Sequence, residues 1–216
     1  MSAAVIVAYD GRVTRWYPDA NRRLQQAAMD LFRKRGYQNT TVAEIAESAG
    51  LTERTFFRHF ADKREVLFGG SDSLRGLLAN AVAAAPRSAT PMAAVTAGIE
   101  AAGDVFNEDR RAYAQQRHAI IVANDELRER ELIKLAALAA AIADALRRRG
   151  LSDPAAGLAA EAGIGVFRVA FERWVDQKET RDWSTLVRES VGQLQKLVSS
   201  AAEIVYLTVW IGSSSC

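Results

Sequence analysis

Apolar residues recur along most of this chain at intervals of three and four, the spacing that gathers them on one face of an α-helix. Leu24, Ala27, Ala28, Leu31 and Phe32 keep that spacing from about 19 to 35, and Gly36 then stops the helix. The next segment, Thr41-Val42-Ala43-Glu44, is a capping box. The Thr41 hydroxyl accepts from the Glu44 amide, and the Glu44 carboxylate accepts from the Thr41 amide. The helix it starts carries Val42, Ile45, Ala46 and Ala49 and ends at Gly50. Thr52 is placed to cap a third helix through Arg54, Thr55, Phe56 and Phe57 to about His59. Two short helices joined by a tight turn with glycine predict a helix-turn-helix. A fourth helix is expected from an Asp62 cap through Val66, Leu67, Leu74, Leu77 and Leu78, with Gly69-Gly70 marking a bend.

The segment from Pro86 to Pro91 breaks the pattern, after which helices are predicted near 91–106, 109–123, 125–149, 153–178 and 182–202. Gly150 closes one of them, and Asp153-Pro154 supplies a cap with proline in the first turn of the next. Ile164, Phe167, Phe171, Trp174 and Val175 form one apolar stripe, and Arg168 is expected to fall inside it. Leu186, Val187, Val191, Leu194, Leu197 and Val198 give the last helix an apolar face. The run from Ile204 to Ile211 is strongly apolar and strand-prone, and two readings of it stand: an extension of the last helix, or a terminus unrelated to the domain before it. The fold class is therefore all-α. A helix-turn-helix domain over 1–65 precedes a larger helical domain over 66–203, with 204–216 as a tail.

Composition supports helix: hydrophobic residues make up 49% of 216, charged residues 25%, and there are only 4 prolines. The single cysteine, Cys216, rules out a disulfide framework and a thiol metal cluster, which fits a cytoplasmic protein. The short apolar run from Ala3 to Ala8 has no basic region before it and reads poorly as a secretory signal. No uninterrupted apolar run reaches the roughly 18 residues that a membrane span needs. Net charge is +2 overall, divided as +3 over residues 1–68 and −1 over the rest. That excess is too small to indicate nucleic acid on its own.

The residues from Gly36 to Thr52, followed by Thr55-Phe56-Phe57-Arg58-His59-Phe60 and Asp62-Lys63, resemble the DNA-binding domain of TetR-type regulators over about 50 positions from Asp19 to Leu67. The resemblance implies a homodimer on a double-stranded DNA operator, released by a small-molecule effector. It also implies dimerisation through the last two long helices. The stretch from Arg117 to Leu127 and the basic helix after it loosely resemble members that bind acyl-CoA-like ligands. Neither a cofactor nor a metal is called for.

Phosphate contact is assigned to Thr41 and the amides after it. By resemblance it extends to His59 and to Lys63, which is expected in the first turn of the fourth helix, where a cation is unfavourable unless a phosphate is near. Base reading falls to Thr52, Glu53, Arg54 and Thr55 at the start of the third helix. Arg54 has the fork geometry for guanine and Glu53 can accept from cytosine; the alternative for Arg54 is a phosphate or surface contact. Phe57 stands where the family commonly has tyrosine, so a phenolic phosphate contact is missing. Arg22, with Arg12, Arg15 and Arg23, could replace it on phosphates or as a minor-groove arm.

The candidate effector residues are Tyr113, Arg117, His118, Arg168, Phe171 and Trp174. A charge on the apolar face at Arg168 requires a partner, either a carboxylate such as Glu161 or Glu172 or the acidic group of a ligand, or else the side chain snorkels to the edge. His118 shares a face with Ala114 and Ile121, where a histidine is more often a satisfied core residue. An enzyme is disfavoured, since the sequence holds no nucleophile and base at working spacing and no glycine-rich phosphate loop.

Overall fold

The computed structural model describes residues 20–212, with side chains described through 200. Arg12 and Arg15, proposed for an N-terminal arm, lie outside the described residues. Among these residues there are nine α-helices, two short 3₁₀ turns and no strand. They are α1 (Ala20–Arg35), α2 (Val42–Ser48), α3 (Glu53–His59), α4 (Ser71–Ala84), α5 (Pro91–Glu100), α6 (Glu108–Val122), α7 (Asp125–Arg148), α8 (Asp153–Trp174) and α9 (Trp183–Gly212). The chain divides into two compact units, one ending at Val66 and the other starting at Leu67.

In the first unit α1 packs on α2 and α3. Leu24, Ala28, Phe32, Tyr37, Ile45, Ala46, Phe56 and Phe60 are buried in it. Gly50 ends α2 with φ +63°, a left-handed conformation that a side chain resists. Arg23 donates to the Ala49 carbonyl just before it, so α1 holds the turn between α2 and α3.

The fourth helix departs from expectation. A 3₁₀ turn, Arg64–Leu67, comes first, and α4 begins only at Ser71. Asp62 does cap, but it caps that turn, accepting from the Arg64 and Glu65 amides. Two successive glycines at 69 and 70 make a continuous helix too costly in backbone entropy. The interruption also removes Lys63 from the first turn of an α-helix.

The second unit is built around α8, which packs on α5, α7 and α9 while α4 packs on α5 and α7. Its core includes Leu78, Val95, Ile99, Ile142, Leu146, Ala160, Ile164, Phe167, Trp174, Trp183 and Leu186. Gly163 permits the close crossing of α8 over α5, because a Cβ there would stand 2.4 Å from Val95 Cγ1. Among the described residues α8 alone is long and apolar enough to cross a bilayer. Its apolar positions Ala160, Ile164, Phe167, Ala170 and Trp174 are spent on this core instead. Capped by Asp182, which accepts from the Thr185 amide, α9 continues past 202 to Gly212. The strand preference of Ile204 to Ile211 is a weak prior, and adding residues to a helix already nucleated costs little.

Candidate functional site

The capping box at the start of α2 is complete. Glu44 N–H donates to the Thr41 hydroxyl at 3.2 Å, and Thr41 N–H donates to Glu44 Oε2 at 2.8 Å. The Glu44 carboxylate also accepts from Arg35 at 2.9 Å, joining α1 to α2. These donors, the Thr41 amide first, hold the Glu44 carboxyl below the usual carboxylate range. A lowered folded pKa stabilises above the unfolded value and is lost as pH falls through the folded one. The melting temperature of wild type should therefore exceed that of Glu44→Gln at pH 6, and the gap should close as pH falls towards 3. A gap independent of pH would remove the carboxylate from this role.

Thr52 caps α3, accepting from the Thr55 amide at 3.2 Å, and the two hydroxyls share a 3.1 Å hydrogen bond. Phe56 anchors the helix from below. Glu53, Arg54, Phe57 and Arg58 are exposed on the opposite face, following the i, i+1, i+4, i+5 spacing of a helix surface. Among the described residues no hydrogen bond or ion pair engages Glu53, Arg54 or Arg58. His59 and Arg22 are also exposed.

Lys63 occupies a place that the sequence did not reveal. Its ammonium donates to the Tyr37 carbonyl at 2.9 Å and the Thr40 carbonyl at 3.0 Å, and lies 4.1 Å from the centre of the Tyr37 ring. It thus fastens the loop that delivers Thr41 to the start of α2. Neither a solvated lysine nor a cation facing an α-helix start describes it.

In the second unit Arg168 is exposed and not inside the stripe, as the snorkelling alternative has it, and among the described residues no carboxylate pairs with it. The large apolar residues of α8 draw the apparent stripe towards position 168, but the buried face also includes Ala156, Ala160, Gly163, Val166 and Ala170. These small residues shift its centre away and leave Arg168 at the rim.

The buried arginine is Arg111, 7% exposed, which shares a face of α6 with Ala114, His118 and Ile121. Its guanidinium donates to the carbonyls of Trp174, Glu179 and Arg181 at 3.1, 2.9 and 2.9 Å and to Glu108 Oε2 at 2.8 Å. It pins the connection from α8 to α9. The spacing that grouped His118 with Ala114 also reaches position 111, so the signal for it was present in the sequence.

Three of the other five candidates gather between α6 and α8, in two contacts. His118 stands edge-on to Phe171 with ring centres 5.6 Å apart, Phe171 meets Trp174 at 6.3 Å, and Phe106 joins both. His118 Nδ1 is buried with no hydrogen-bond partner, so the ring is not the satisfied core histidine that its position suggested. Arg117 donates to the Leu67 carbonyl at 2.6 Å, lies 5.0 Å from the Phe68 ring and faces Glu131 at 3.7 Å. Burial pushes the Tyr113 phenol above its ordinary range, partly offset by the Arg117 cation. Trp174 also lines a cleft of about 530 Å³ with Phe106, Asn107, Arg111 and Trp183.

Residues 24–68 match the family of bacterial regulatory proteins described as tetR, and residues 89–199 match the MftR C-terminal domain. TcmR of Streptomyces glaucescens, an HTH-type transcriptional regulator, is 35% identical over 79 residues, which cover 37% of this chain and 35% of TcmR. The match thus spans about a third of that relative's length. MftR of Mycobacterium tuberculosis, a transcriptional regulator linked by name to mycofactocin biosynthesis, is 25% identical over 202 residues, 90% of this chain and 97% of that protein. A transcriptional regulator from Pseudomonas aeruginosa PAO1 has the same fold at a TM-score of 0.60, with 17% identity over 88% of this chain and 96% of its own. FadR from Bacillus subtilis, solved in complex with stearoyl-CoA, aligns at a TM-score of 0.52 and 18% identity over 80% of this chain and 96% of its own.

Proposed function

Because the chain belongs to the tetR family of bacterial regulatory proteins, we propose that it is a homodimeric repressor that binds a pseudo-palindromic operator and is released by a small-molecule effector. The observation that carries this reading is the outer face of α3. There Glu53 and Arg54 project from a short helix fixed by the Thr52 cap and the buried Phe56, with no bonded partner among the described residues. Such a helix lies in the major groove, with its first turn at the base edges. Arg54 pairs with guanine, Thr52, Glu53 and Thr55 complete the reading surface, and Thr41 and His59 meet phosphates. Lys63 contributes by fixing the Thr41 loop.

The effector reading rests on His118, whose buried Nδ1 lacks a partner beside the rings of Phe171 and Trp174. A ligand with one polar group and an apolar body suits that environment, with Tyr113 and Arg117 on the same helix. An acyl-CoA-like effector fits this description, and the stearoyl-CoA complex of a protein with the same fold adds a fold-level analogy.

Selection of bound duplexes from a random pool should recover a two-fold symmetric site. Arg54→Ala should then lose discrimination at one base position per half-site, at a cost of roughly 1–3 kcal/mol. Long-chain acyl-CoA should release the selected duplex from wild type. Failure to enrich any sequence at low salt would overturn the operator reading, and retention of the duplex in acyl-CoA would overturn that effector class.

A further inference from the structure

Phe56 and Phe57 are neighbours with opposite fates, the first fully buried and the second 54% exposed. An aromatic ring left half in water adds little to folding. It is nevertheless held in place. The Phe57 ring stands at 80° to that of Phe56 with centres 5.5 Å apart. Its helix is closed at one end by the Thr52 cap and at the other by the Phe60 amide bonded to the Phe56 carbonyl. An exposed apolar group whose conformation is fixed before binding loses little freedom when it is covered.

The surroundings of the ring narrow what covers it. Phe57 shares the outer face of α3 with Glu53, Arg54 and Arg58, all able to bond to base edges or phosphates. A benzyl ring has no hydroxyl to offer a phosphate and can make none of these bonds. In the major groove, the apolar group that distinguishes one base from another is the 5-methyl of thymine. We infer that Phe57 is a specificity-determining residue whose ring packs on the methyl group of a thymine in each half-site, beside the base read by Arg54. The inference rests on the operator reading above. Because this contact is apolar, it sets base preference without adding to the dependence of affinity on salt.

The test uses the full chain and the duplex recovered by selection. Each symmetric pair of thymines is replaced in turn by deoxyuridine, which removes only the methyl group. At one pair, wild type should lose about fourfold in affinity per half-site, the value of one buried methyl-sized group. Phe57→Ala should bind the thymine and deoxyuridine duplexes equally at that pair, with the salt slope of wild type. Phe57→Tyr, which keeps the ring, should preserve the discrimination. Thermal unfolding of Phe57→Ala close to that of wild type would show that the loss is not one of folding. Wild type tolerating deoxyuridine at every position, or Phe57→Ala remaining as sensitive to it as wild type, would overturn the inference and leave the operator reading intact. Recovery of no enriched duplex would overturn both.

Discussion

Replacing Phe56 by alanine should destabilise the first unit by roughly 3–5 kcal/mol and abolish operator binding with it. Phe56 is fully exposed to its own core and not at all to solvent, touching Phe57 and Phe60 ring to ring. This unit ends at Val66, so even with every residue counted it is a small one. Losses of several kcal/mol are comparable with the whole stability of a domain that size. Phe57→Ala, one residue away, should change stability by no more than about 0.5 kcal/mol. Urea unfolding of the two variants, followed by a probe in the N-terminal unit, measures the contrast. Equal losses would mean that the exposed ring is part of the core after all.

Arg111→Ala should destabilise the second unit by roughly 2–3 kcal/mol, the scale of lost hydrogen bonds from a charged donor with one carbonyl left buried. It strips the donor from three backbone carbonyls, those of Trp174, Glu179 and Arg181, and removes a cation placed 5.1 Å from the centre of the Trp174 ring. The Trp174 carbonyl is left buried without a donor, whereas those of Glu179 and Arg181 lie nearer the surface and can turn to water. Arg111→Lys should restore little, since a single ammonium cannot reproduce the fork of the guanidinium. Arg168→Ala should stay within about 0.5 kcal/mol of wild type, as an exposed residue without a partner does. Tryptophan fluorescence during urea unfolding reports on Trp174 and Trp183, both buried in this unit. If Arg111→Ala and Arg168→Ala unfold alike, the pinning of the α8–α9 connection is not what holds this end together.

The two arginines show where the sequence was legible and where it was not. Periodicity on α6 placed His118 with Ala114 and Ile121, and the same rule applied one turn earlier reaches Arg111. On α8 the rule failed at Arg168. It weighted Ile164, Phe167, Phe171 and Trp174 by their size, whereas the centre of the buried face is set by which positions let another helix approach. Those positions are Ala160, Gly163 and Ala170, which carry little hydrophobic signal.

Local chemistry by itself determined the helix-turn-helix. The capping box at Thr41 and Glu44, the left-handed glycine at 50 and the Thr52 cap each satisfy groups within a few residues of themselves, so their spacing is sufficient. The all-helical class and most helix boundaries follow for the same reason. Only the tertiary structure decided the partners of the long cations. Lys63 reaches carbonyls more than twenty residues away, Arg111 reaches carbonyls more than sixty away, and Arg117 reaches Leu67. A flexible charged side chain has no preferred partner along the chain. Its place is set by whichever backbone groups the packed helices leave without donors, and these exist only once the fold has formed.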